Sequence, residues 1–147
     1  MSKSFVSPFA RGPVSVPSPF DLPRSVWQAM LRGAKGSCPR CGETRLFLRF
    51  LKPVPHCEHC GQDWSLQRAD DFPAYVSIFM TGHILVPFIG VLLLTLDLTS
   101  TQVMAILMPA AIIMLLAFLQ PAKGAVIAMQ WWHGMHGFKQ ERPAGLD

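Results

Sequence analysis

Charge is what this sequence has least of, and its distribution matters more than its total. Only 15% of the residues are charged, against about a quarter in an average soluble domain. Between residues 74 and 122 the sole charged side chain is Asp97. A water-facing fold does not leave 49 residues with a single charge, whereas a segment solvated by lipid does. A long apolar core near the start is also missing. After Lys3 the chain is broken by Pro8, Pro13, Pro17 and Pro19, so no secretory signal peptide is expected. Nothing in the sequence resembles the βαβ setting of a redox-active C-x-x-C pair, and no nucleophile–base constellation stands out. These absences argue against a secreted fold, a thioredoxin-like oxidoreductase and a hydrolase.

The charge that is present lies beside the apolar block. Residues 1–73 hold ten of the thirteen Lys and Arg and six of the nine Asp and Glu. Such basicity raises the question of nucleic acid, because Lys and Arg neutralise phosphates. The basic residues are spread along the flanks and not gathered in one stripe. That pattern fits retention on the cytoplasmic side of a bilayer, and it argues against nucleic acid as a partner.

Read along the chain, residues 1–20 are Ser- and Pro-rich and are expected to form a disordered tail. Residues 21–35 read as an amphipathic helix capped by Asp21, with Val26, Trp27, Met30 and Leu31 on one face. That face suits a membrane surface or a neighbouring module equally well. Residues 36–66 carry the cysteines, with a β-compatible arm at Thr44–Lys52 ended by Pro53 and Pro55. Two apolar segments follow, residues 74–96 and 103–122. As a helix the first would be about 35 Å long, enough to cross a hydrocarbon core of about 30 Å. Pro87 and Pro109 predict kinks within them. Residues 123–138 read as an interfacial helix, with Lys123 reaching for the interface and Trp131 and Trp132 in an aromatic belt. Residues 139–147 are a tail.

Basic residues flank both outer ends of the two segments and are absent from the short connector. By the positive-inside rule both termini are cytoplasmic. The fold expected is a membrane α-helical hairpin of two transmembrane helices, carrying a small N-terminal four-cysteine zinc-knuckle or ribbon module.

The cysteines read Cys38-Pro39-Arg40-Cys41-Gly42 and Cys57-Glu58-His59-Cys60-Gly61, with fifteen residues between Cys41 and Cys57. Two residues between paired cysteines let one tight turn aim both sulfurs at one ion. A glycine after each pair permits a left-handed backbone, so that nearby N–H groups turn toward the thiolates. The spacing matches a structural zinc site with four cysteine ligands. Two disulfides would need an oxidising compartment, which the topology argues against. Iron is the minor chemical alternative for a tetrahedral sulfur site. His56 and His59 could each replace a thiolate, but four cysteines already complete the set. A short module of this kind has too little core to fold alone, and the metal supplies the missing free energy.

From Arg32 to Trp132 the sequence resembles a family of small bacterial membrane proteins catalogued as domain of unknown function 983. The resemblance is carried by Cys38-Pro39-Arg40-Cys41-Gly42-Glu43, Arg45-Leu46-Phe47, Phe50-Leu51-Lys52 and Cys57-Glu58-His59-Cys60-Gly61. It continues through Asp70-Asp71, Pro73-Ala74, Gly82-His83-Ile84, Pro121-Ala122-Lys123-Gly124 and Gln130. It departs at Asp71-Phe72-Pro73, where a glycine is expected before the proline. It implies a zinc-knuckle protein of the bacterial inner membrane with no assigned biochemical role.

Within the spans His83 is the candidate polar site, since an ionisable residue at that depth is a functional hypothesis by default. The structural account is a neutral imidazole hydrogen-bonded across the hairpin. Met80, Met104, Met108 and Met114 could join it in a soft-metal site, or simply pack. Asp70 and Asp71 could pair with Lys123. Two functions follow. One is a non-enzymatic adaptor at the cytoplasmic face of the inner membrane, presenting Arg40, Arg45, Arg49, Lys52 and exposed aromatics. The other is a metal-handling or transport component built on His83 and methionine. The partners expected are the lipid bilayer and either a membrane protein or a second copy, with Gly82 and Gly90 available for close helix approach.

Overall fold

The computed structural model describes residues 20–141. All but Phe20 of the tail expected at residues 1–20, and the last six residues of the chain, 142–147, lie outside the described residues. In chain order the elements are α1 (Val26–Ala34), β1 (Phe47–Arg49), β2 (Lys52–Pro53), α2 (Phe72–Thr95) and α3 (Ser100–Trp132). A single 3-10 turn at Met135–Gly137 follows.

The cap of α1 is Ser25, not Asp21. Its hydroxyl accepts the amide of Gln28 at 3.2 Å, and the Gln28 side chain returns to the amide of Arg24 at 2.7 Å. Pro23 explains the shift, because a residue preceding proline is driven out of helical conformation. Asp21 instead receives Arg32 Nη2 at 3.1 Å, while its carbonyl accepts Arg32 Nη1 at 2.7 Å. The side of α1 that turns inward is Ala29 and Gly33. Trp27 and Leu31, expected to be covered by lipid or by the module, stand exposed.

α2 begins with proline in its first turn and runs unbroken through Pro87. α3 opens on a capping box, in which the amide of Thr99 donates to Gln102 Oε1 at 2.9 Å. It then continues for 33 residues through Pro109 and Pro121, about 50 Å at 1.5 Å per residue. The second span and the interfacial helix expected at 123–138 are therefore one helix as far as Trp132. Pro121 removes one backbone donor without ending it, because the residues beyond are held by packing. The helix ends at His133, where Gly134 takes a left-handed backbone with φ 66°.

α2 and α3 lie against each other and leave much of their apolar surface exposed, including Ile78, Val86, Leu94, Met108 and Ile113. Both helices are long and apolar enough to cross a membrane. Beyond Pro121 the environment of α3 reverses. Ala122, Gly124, Val126, Ile127, Ala128, Gln130 and Trp131 are buried, and Val126, Ile127, Ala128 and Trp131 share one core with Leu22, Ala29, Leu46, Trp64 and Phe138.

Two contacts lock this end of α3 to the rest. α1 crosses it with backbone touching backbone. A Cβ on Gly124 would overlap the carbonyl oxygen of Gly33, and one on Gly33 would overlap that of Gly124. Only glycine fits at either position. The glycines expected to serve close approach, Gly82 and Gly90, face open space within the chain. The second contact is an amide clamp. Gln130 Oε1 accepts the backbone N–H of Arg68 at 3.0 Å, and Gln130 Nε2 donates to its carbonyl at 2.7 Å.

Candidate metal centre

Each cysteine pair sits in a turn closed by the backbone on both sides. Ser37 bridges Arg45 and His56 bridges Asp63, both antiparallel. Inside these bridges Cys38 N donates to Thr44 O at 2.8 Å and Cys57 N to Gln62 O at 2.9 Å. The turns then close through Gly42 N to Cys38 O at 2.8 Å and Gly61 N to Cys57 O at 2.9 Å. Gly42 and Gly61 have φ of 78° and 68°, the left-handed geometry that their place after each pair predicts. Repeating one turn twice places four sulfurs around a point.

The ligand atoms of Cys38, Cys41, Cys57 and Cys60 all lie within 4.8 Å of one another. The edges Cys38–Cys60 and Cys41–Cys57 measure 3.8 and 3.7 Å. A tetrahedral ion with metal–sulfur bonds of about 2.3 Å would set its sulfurs about 3.8 Å apart. A disulfide would require about 2.05 Å. The donor set therefore fits one tetrahedral metal ion and not two disulfides. His56 and His59 stay outside it. His56 Nε2 faces Asp63 Oδ2 at 3.9 Å, and His59 packs its ring against Phe20 at 5.3 Å.

Hydrogen-bond donors converge on the Cys57 sulfur. The hydroxyl of Thr44 lies 2.9 Å from Cys57 Sγ, and the amide of Cys60 lies 3.5 Å from the same atom. The Cys60 thiol is pulled down to about 4, first by its contact with Cys38, then against burial by the amide of Gln62 and by Cys57 and Arg40. The same contact with Cys60, followed by burial, pushes Cys38 up. Burial also raises Cys41, opposed by the amide of Glu43.

Arg40, one of the residues expected to face a partner, is committed inside the protein. It donates to the carbonyl of Cys60 at 2.7 Å and to Glu141 Oε2 at 2.5 Å, and its guanidinium lies 5.2 Å over the Phe20 ring. Burial works against its charge, but Glu141 and Cys60 more than offset this and its pKa is raised. Residues 139–141, expected to fray, are thus tied back over the cysteine turns.

The other candidate residues are scattered. His83 is exposed and its Nδ1 meets Phe79 O of its own helix at 2.9 Å, with the two rings 4.0 Å apart. It makes no bond across the hairpin. The hollow beside it is lined by Ile78, Phe79, Gly82, Val86 and Pro87 and contains no methionine. Lys123 is half-buried and is not paired with Asp70 or Asp71 among the ion pairs of the described residues. Trp131 is fully buried, edge-on to Trp64 at 6.3 Å. It is a core residue and not part of an aromatic belt, because α3 has already turned into the module at that height. Trp132, 6.3 Å from Trp131, is half-buried against the same core.

Sequence reasoning missed the Gly33–Gly124 crossing, although Ala29-x-x-x-Gly33 and Gly124-x-x-x-Ala128 spell small residues one helical turn apart on both partners. Thr44 and Gln130 had no such signal, since hydroxyls and amides are common at every surface.

No curated protein and no solved structure matches the chain. A family model does, over residues 47–131, a stretch that begins inside the first β-strand and ends at the buried Trp131. This chain belongs to the family described as protein of unknown function DUF983.

Proposed function

We propose that this protein is a non-enzymatic adaptor of the bacterial inner membrane, in which a zinc-stapled cytoplasmic module is held beside a membrane-protein partner. The observation that carries this reading is the enclosure of the sulfur tetrahedron. All four cysteines are at most 9% exposed, and four thiolates fill the coordination of a tetrahedral zinc ion. No position is left for a water or a substrate, so the ion serves as scaffold. Zinc is preferred to iron because a site of this kind needs no redox change to hold a fold together.

The membrane part of the proposal rests on the exposed apolar faces of α2 and of the first half of α3. With α2 and α3 as a two-pass hairpin, the module and the residues after Trp132 fall on one side. The basic flanks make that side the cytoplasm. The surface offered to a partner is α1, where Trp27 and Leu31 are 70% and 60% exposed one turn apart. The metal-handling alternative has no gathered set of donors, since His83 and the methionines do not share a hollow.

The test uses the full-length protein in its own membrane, with a photo-cross-linker in place of Trp27. A discrete cross-linked membrane partner is expected, lost in Leu31→Arg at unchanged protein level and zinc content. Elemental analysis should find one zinc per chain, unaffected by His83→Ala. Unchanged cross-linking and protein level in Cys38→Ser and Cys60→Ser would defeat the adaptor reading.

A further inference from the structure

The connection between β1 and β2 is built from the wrong residues for a turn in water. Arg49 pairs with Lys52, which leaves a two-residue loop of Phe50 and Leu51. Such loops favour Asn, Asp and Gly because their backbone needs positive φ. Here Leu51 holds φ 61°, a conformation that costs a leucine free energy. Phe50 at the apex is 54% exposed, and Leu48 beside it is 62% exposed. An apolar, strained tip is retained at a place where a polar one would be both easier to fold and more soluble.

Its position explains what covers it. Between the tip and α3 lies a hollow of about 310 Å³ lined by Phe50, Ala34, Lys35 and Gly36 on one side and by Leu116, Ala117, Gln120 and Pro121 on the other. The tip therefore stands level with the stretch of α3 where exposed apolar surface gives way to the buried core. The exposed side chains flanking the turn are cationic: Lys35 at the end of α1, Arg49 before the turn and Lys52 after it, whereas Arg45, farther back, shares its hollow with Glu43 and Glu58. Apolar apex, cationic collar and adjacency to a bilayer-length helix are the features of a segment that dips into an anionic lipid surface.

We infer that the Phe50–Leu51 turn is a membrane-dipping tip, inserted at the headgroup level beside α3, with Arg49, Lys52 and Lys35 on anionic phospholipid headgroups. This rests on the membrane reading of α2 and α3. It adds a third point of contact, which fixes the tilt of the module against the bilayer.

The full-length protein, carrying a photo-cross-linking phenylalanine analogue at position 50, is reconstituted into vesicles of phosphatidylcholine with phosphatidylglycerol. Parallel samples carry the analogue at Ile113, in the exposed part of α3, and at Leu66, on the module. Lipid adducts are expected at positions 50 and 113 and not at 66. Adducts at 113 with none at 50 would overturn the inference and leave the membrane reading intact, and the same holds if position 50 captures protein and not lipid. Failure at 113 would remove both. The collar is tested with Arg49→Gln and Lys52→Gln in nanodiscs of mixed composition. The ratio of phosphatidylglycerol to phosphatidylcholine bound to the protein should fall by about fivefold for each charge removed, with metal content unchanged. An unchanged ratio would overturn the headgroup assignment.

Discussion

The two parts of α3, before and after Pro121, are both largely apolar and have opposite surroundings. Before Gln120 the helix shows Met104, Ile106, Met108, Ile112, Ile113 and Leu116 to the outside. After Pro121 it buries Val126, Ile127 and Trp131 inside the module. The difference lies in the residues interspersed among the apolar ones. The buried half alternates bulk with Ala122, Gly124 and Ala128, which let α1 approach to backbone contact. It also carries one amide, Gln130, placed to satisfy a neighbouring backbone. The exposed part holds Ala105, Ala110, Ala111 and Ala117 but no glycine, and bulky aliphatic residues dominate it. Hydropathy shows that a helix avoids water, and small residues and buried amides show which face meets protein.

Several changes would break that contrast or sharpen it. The largest effect is expected from the metal ligands. Structural zinc supplies about 10–16 kcal/mol in small zinc-folded peptides, so at the proposed zinc site Cys57→Ser should abolish metal binding and make residues 36–66 protease-sensitive. Metal analysis and limited proteolysis in detergent check this, with α2 and α3 expected to remain helical. Acidification should act through the same site. A ligand thiol depressed in the folded state contributes stability above its unfolded pKa and loses it as pH falls. Metal should therefore leave as pH falls below neutrality and protons compete for the thiolates, and a pH titration with a zinc-sensitive dye reads the release.

Truncating the core comes next. Trp131→Ala should cost about 3–5 kcal/mol, whereas Leu94→Ala, at a side chain 88% exposed, should leave the module unchanged. Thermal unfolding followed by intrinsic fluorescence separates the two. At the helix crossing, Gly124→Ala should destabilise by about 1–3 kcal/mol or more by overpacking. The same change at Gly90, which faces open space, should be neutral or stabilising by up to about 1 kcal/mol. If both glycines respond alike, backbone contact is not what holds α1 to α3. A loss of about 1–3 kcal/mol is also expected at the amide clamp, where Gln130→Leu strands the backbone groups of Arg68.

Much of this molecule was legible in the sequence, and for particular reasons. The C-x-x-C-G turns act through local geometry, so spacing alone located the four clustered cysteines and both left-handed glycines. The near-absence of charge located the two long helices. What escaped was set by packing at a distance. Residues 123–138 looked interfacial because paired tryptophans suit a headgroup layer, and nothing local shows that Trp131 meets Trp64 across the fold. Asp21 looked like a cap until Pro23 is seen to delay the helix. Arg40 looked free because its partners, Glu141 and the carbonyl of Cys60, come from other parts of the chain.

The shared core of the module has a consequence for how the chain is made. The four cysteines are synthesised before either long helix, but Ile127 and Trp131, in the last turns of α3, and Phe138, beyond it, come last and close the core around Trp64. For a chain inserted as proposed, the sulfurs exist well before their hydrophobic backing does. The module can finish only when α3 has recrossed the bilayer and returned its last three turns to the starting side. A hairpin that fails to return leaves Trp64 bare and Arg40 without Glu141, open to quality-control proteases. Completion of the core is in effect a test of whether insertion succeeded.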